Sequence, residues 1–245
     1  MPRFLTPLAL AATLLTAPAA ALADPGYYVV TAYDNQGVRT IDTRYWTVKY
    51  PHSPLVTWPE VGFGYGVTTR WYTEVFASYI GSTDSATKLN TLNWQNEVLL
   101  TQGDYPFDLA LHASLVRSLG NEKGYALEYG PVLQTDIGKT QLNANVFFER
   151  SWGTDDSQPV QMKYQWQIRH RWRPLLNVGL QGFGEVGSWT HWAPRDQQSH
   201  RAGPAVFGTL ALGGRQSLLY QAAYLVGSIY GQRGSMFSMR IQYAF

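Results

Sequence analysis

The sequence has 245 residues and no cysteine, with 19 basic and 17 acidic residues, 14% aromatics and only 15% charged residues. The lack of cysteine excludes a disulfide framework and thiolate chemistry, and bases scattered along a nearly neutral chain exclude the clustered positive face that nucleic acid requires. Beyond residue 23 no run approaches 18 uninterrupted apolar residues, which excludes a membrane-crossing helix, so any crossing must be made by strands.

In chain order, residues 1–23 follow the plan of a secretory signal peptide: Arg3, an apolar core from Leu8 to Leu15, and the small-residue site Ala21-Leu22-Ala23 before Asp24. Residues 24–38 come next. Their apolar stretch Tyr27 to Tyr33 precedes a turn-like Asp34-Asn35-Gln36-Gly37. It reads as a thirteenth strand, a hairpin partner or a periplasmic lead-in, and the lead-in is the expectation.

From residue 39 to 245 the chain alternates with period two, the mark of strands whose faces meet different surroundings. The first candidates are Arg39 to Lys49 and Trp58 to Val67. Arg70 to Tyr79 then sets Trp71, Thr73, Val75, Ala77 and Tyr79 against Arg70, Tyr72, Glu74, Phe76 and Ser78. Leu89 to Thr101, Asp108 to Ser118 and Tyr125 to Ile137 follow, and in Gln141 to Glu149 an apolar face from Leu142 to Phe148 opposes a largely polar one. Val160 to Trp172 carries Met162, Tyr164, Trp166, Ile168, His170 and Trp172 on one face and Gln161, Lys163, Gln165, Gln167, Arg169 and Arg171 on the other. After Leu175 to Val186, Arg201 to Leu212 and Leu218 to Val226, the last strand opposes Phe237, Met239, Ile241, Tyr243 and Phe245 to Ser238, Arg240, Gln242 and Ala244. About twelve strands result, without a linker that divides the chain into two domains.

Short links near 68–69, 103–104, 138–139, 173–174 and 213–214 alternate with longer polar stretches at 81–88, 119–124, 152–159, 187–200 and 227–234. That rhythm is the one of bacterial barrels, with short periplasmic turns, long external loops and, for an even strand count, both termini in the periplasm. A soluble barrel also alternates, but with its apolar face inward. Here Gln, Lys and Arg crowd the polar face, and Trp and Tyr sit at strand ends of the apolar face, as interfacial girdles do. The expected fold is therefore all-β, a closed antiparallel transmembrane barrel over 39–245. Asn96 and Arg150 fall on the apolar face against this pattern.

The final run, ending in Tyr243-Ala244-Phe245 with apolar residues at 241, 239 and 237, resembles the terminal signature of Gram-negative outer-membrane β-barrel proteins. The resemblance implies the outer membrane as location, assembly by the barrel-assembly machinery through that strand, and contact with outer-membrane lipid and lipopolysaccharide. The hairpin Val61-Gly62-Phe63-Gly64-Tyr65-Gly66-Val67-Thr68-Thr69-Arg70-Trp71 and the strands holding Gly130-Pro131 and Gly203-Pro204 look like a group of roughly twelve-stranded barrels, some assigned to aromatic-compound degradation. That implies passage of small, aromatic or apolar solutes.

By parity the lumen receives Asp42, Arg44, Arg70, Glu74, Glu97, Asp108, Glu128, Glu149, Lys163, Arg169, Arg171, Glu185, Arg201 and Arg240. Such charges either line a selective pore or pair and close it. Lys163, Arg169 and Arg171 form a basic ladder that reads as an anion-selective stripe or as a set of internal salt bridges. Glycines 62, 64 and 66 make room for large neighbours such as Phe76 or Arg44. His112 and Ser114, two apart, carry the groups of a serine hydrolase and resemble the His-x-Ser pair of outer-membrane phospholipase A, but point inward where that enzyme's pair faces lipid. His191, Asp196 and His200 in the loop after 187 are too irregularly spaced for a metal site, and neither metal nor other cofactor is expected. The reading is a monomeric outer-membrane channel or transporter for small solutes. The alternatives are a lipid hydrolase working through His112 and Ser114, and a closed structural or adhesive barrel acting through its loops.

Overall fold

The computed structural model describes residues 27–32, 36–120, 123–153, 159–173 and 175–245. The expected signal peptide lies outside them. Twelve strands form one antiparallel sheet: β1 (Arg39–Lys49), β2 (Val56–Gly66), β3 (Trp71–Ser82), β4 (Ser85–Leu99), β5 (Phe107–Ser118), β6 (Gly124–Ile137), β7 (Thr140–Trp152), β8 (Gln161–Arg173), β9 (Leu176–Ser188), β10 (Ser199–Gly213), β11 (Gln216–Ile229) and β12 (Gln232–Ala244). Each pairs with its neighbour in sequence, and β12 returns to β1, with Thr40 opposite Ala244 and Lys49 opposite Ser235. Phe245 completes the closure by exchanging two backbone hydrogen bonds with Arg39, at 3.0 and 2.9 Å. A closed sheet has no edge, so every backbone group in lipid finds a partner.

Twelve strands about 4.8 Å apart and tilted by about 40° close at a backbone radius of about 12 Å. Once lined by side chains, that bore has room for little more than one extended segment. The strands are 11 to 15 residues long, enough to cross the apolar layer at this tilt.

The outer face follows the period-two reading. Val61, Phe63, Val75, Trp94, Leu111, Leu180, Tyr224 and Ile241 stand out from the wall with 36% or more of their surface free, which is the belt that lipid covers. Tyr164 and Trp166 lie flat across Gly184 and Gly182 of the next strand, where an added Cβ would come within 2.1 and 2.5 Å of their rings. Tyr164 reaches past Gly184 to His200 Nδ1 at 2.8 Å. Asn96, a polar residue on the lipid side, accepts from the Trp71 indole at 3.0 Å, so its amide oxygen finds a donor within the girdle.

Two connections differ from expectation. The stretches 81–88 and 227–234 read as long loops, but β3 and β4 continue to Ser82 and Ser85, and β11 and β12 continue to Ile229 and Gln232. The second hairpin turns on Tyr230 (φ +46°) and Gly231 (φ +79°), the backbone of a tight two-residue turn. Polar composition marked these segments as leaving the membrane, and they do so as paired strands.

Candidate functional site

The inner face is built by Asp42, Arg44, Glu60, Glu74, Gln95, Glu97, Asn145, Gln165, Glu185 and Arg201, all buried. Residues 27–32 run among them inside the barrel, beside the strands and outside the sheet ladder. The expectation put all of 24–38 in the periplasm. Instead Tyr27, Tyr28, Val29 and Val30 are each at most 6% exposed.

The segment alternates. Tyr27 and Val29 pack with Trp46, Phe183, Phe207, Leu225 and Met236 of β1 and β9 to β12. Tyr28 and Val30 pack with Leu99, Ala110, Val132 and Phe147 of β4 to β7. Its peptide groups bond to wall side chains: the Val30 N–H donates to Gln165 at 3.1 Å, the Val30 carbonyl accepts from Asn145 at 2.9 Å, and the Tyr27 carbonyl accepts from the Ser238 hydroxyl. A buried backbone needs such partners, and glutamine and asparagine on the wall supply them.

Three charged groups surround it. At one level Arg44 bonds Asp42 at 2.9 Å and Glu74 at 2.5 Å, and Arg240 bonds Asp42 at 2.5 Å. The Arg44 guanidinium lies 3.8 Å from the centre of the Tyr28 ring, whose hydroxyl donates to Gln95. Nearer the end with longer connections, Glu185 takes Arg201, the Tyr27 hydroxyl at 2.7 Å and the Tyr230 hydroxyl, while the Arg201 guanidinium covers the Tyr27 ring at 4.1 Å. Across the bore His112 sits between Glu128 at 3.4 Å and Glu97 at 3.9 Å, and Lys163 between Glu149 at 2.6 Å and Glu128 at 3.6 Å.

Arg44, Glu74, Glu97, Glu128, Glu149, Lys163, Glu185, Arg201 and Arg240 are all buried on the inner side of the wall. The basic ladder does not form a stripe. Lys163 is sunk between glutamates of β6 and β7, Arg169 is half-buried near the Phe207 ring, and Arg171 is exposed and paired with Asp136 at 2.9 Å. Arg70 is exposed at a turn, reaching Gln102 at 3.3 Å. Gly62 makes room for Phe76, and Gly64 for Tyr72 rather than for Arg44. His112 and Ser114 share the lumen face but not a hydrogen bond. The imidazole belongs to the glutamates and the buried Ser114 hydroxyl has no hydrogen-bond partner among the described residues, so nucleophile and base are not coupled.

Sequence reasoning missed Tyr27 to Val30 as site residues. Four successive apolar residues, buried on both sides, were the available signal: a strand facing lipid alternates, and a segment in water has no use for them.

No protein-family model and no curated protein matches the chain. Solved structures do. An outer-membrane channel from Pseudomonas putida F1 superposes with a TM-score of 0.64 at 12% identity, over 91% of this chain and 100% of that one. The NanC porin gives 0.56 at 13% over 84% and 98%, and the translocator domain of the autotransporter NalP from Neisseria meningitidis gives 0.51 at 11% over 87% and 89%. At these identities the likeness concerns the fold. Together with the closed sheet, the exposed apolar belt and its girdles, it makes this chain an integral β-barrel protein of the bacterial outer membrane.

Proposed function

We propose that the barrel is a channel for small solutes, closed in the conformation described by its own residues 27–32. One observation carries the reading: a chain segment outside the sheet lies in the bore, held there by hydrogen bonds and packing. The segment belongs to no ladder of the sheet, so with the expected signal peptide removed it can leave without unfolding the wall. Its departure uncovers two apolar surfaces, around Phe183, Phe207 and Leu225 and around Val132 and Phe147, flanked by the charged groups. That lining suits small apolar or aromatic solutes with a polar group. In this reading the end bearing Phe245 faces the periplasm and the longer connections face outward.

Planar-bilayer recordings and liposome uptake test it. The full mature chain is expected to conduct rarely, and a variant lacking residues 24–32 to show sustained single-channel steps and faster uptake of small aromatic acids. Silence from both proteins would instead favour a closed barrel acting through its loops, the reading that a filled lumen also supports.

A further inference from the structure

The outer wall carries a second feature, independent of the lumen. Every Asp and Glu in the strands has inward parity, yet Arg117 on β5 and Arg150 on β7 point outward into the apolar belt, exposed and close to the end with longer connections. Among the described residues neither has an ion-pair or hydrogen-bond partner. β6 lies between them. Arg117 is level with Tyr125 and Arg150 with Leu127, two residues further along β6, which places their backbones about 12 Å apart. Tyr125 stacks on Trp152 at 6.0 Å between centroids, Lys123 is exposed just before Tyr125, and Leu115, Leu127 and Tyr129 continue the surface toward the middle of the membrane.

Guanidinium groups hold phosphate with two parallel hydrogen bonds, and they do so best where water is scarce. Stacked aromatic rings at the membrane interface offer a flat face to a sugar, and the aliphatic side chains below offer one to acyl chains. We propose that this wall of β5 to β7 binds one phosphorylated glycolipid of the outer leaflet, with one phosphate on Arg117 and Lys123, a second on Arg150, and acyl chains along Leu115, Leu127 and Tyr129. The assignment takes the end with longer connections as the outward one. Arginines that merely extended to the membrane surface would not select a bisphosphorylated headgroup over any other anionic lipid.

Native mass spectrometry of the purified full-length mature barrel in neutral detergent tests the site. The probes are bisphosphorylated lipid A, its monophosphorylated form, phosphatidylglycerol and inorganic phosphate. One bisphosphorylated lipid A is expected to stay bound, the monophosphorylated form more weakly, and phosphatidylglycerol and phosphate not at all. Arg117→Gln and Arg150→Gln are each expected to lower retention about tenfold, the loss of one charge-assisted contact, while Arg215→Gln in a turn at the opposite end leaves it unchanged. Heat-dependent gel mobility reports folding of each variant, and a failure of the double variant leaves the single ones to decide. Equal retention of phosphatidylglycerol, or undiminished lipid A retention by both arginine variants, overturns the proposal.

Discussion

On the outer face of β9, Gly182 and Gly184 lie beneath Trp166 and Tyr164 of the neighbouring strand, whereas on its inner face Phe183 and Glu185 hold Tyr27, 158 positions away from Glu185. The outer contacts join residues that the register already sets side by side. The inner ones join a wall to a segment outside the sheet. One strand thus obeys a local rule on one side and a global arrangement on the other, and the two sides should respond differently to substitution.

The largest effect is expected from breaking the inner arrangement altogether. Removing residues 24–32 should turn rare openings into sustained conductance while leaving the outer contacts intact, as an unchanged heat-dependent gel mobility would report. Next comes Arg44→Ala, which leaves Glu74 without its cation and Asp42 with Arg240 alone. Breaking a buried pair of this kind costs about 3–5 kcal/mol, read as a lower urea midpoint for unfolding in vesicles. Arg44→Met combined with Glu74→Gln should recover much of that loss. If Arg44→Ala unfolds like the parent, the charged groups do not hold the lumen together.

On the outer side the effects are smaller. Gly184→Val must displace Tyr164 and its bond to His200, an overpacking cost of about 1–3 kcal/mol with conductance unchanged. Asn96→Val should cost the least, about 0.5–1.5 kcal/mol, because it removes one hydrogen bond from the Trp71 indole in a region already rich in apolar contacts. A change in conductance from either variant would break the separation between the two faces.

Much of the candidate site was legible as a set and little of it as a geometry. Parity identified Arg44, Glu97, Lys163 and Arg201 as inward, because a strand leaves a side chain only two directions. It could not say that Lys163 falls between Glu128 and Glu149, since that depends on the register of three strands. The basic ladder failed as a stripe for a related reason. Arg171 lies beyond the buried bore, where Asp136 of β6 is within reach.

The sequence by itself determined the closed antiparallel barrel of about twelve strands and, for most of their length, which face of each turns inward, because a closed barrel in lipid imposes one repeating rule on every strand. Only the tertiary structure decided what fills the barrel. Residues 27–30 follow no ladder and carry no register, and their place is set by the size of the bore and by the side chains that meet there: Gln165, Asn145 and Ser238 for the backbone, and Glu185, Arg44 and Phe147 for the side chains.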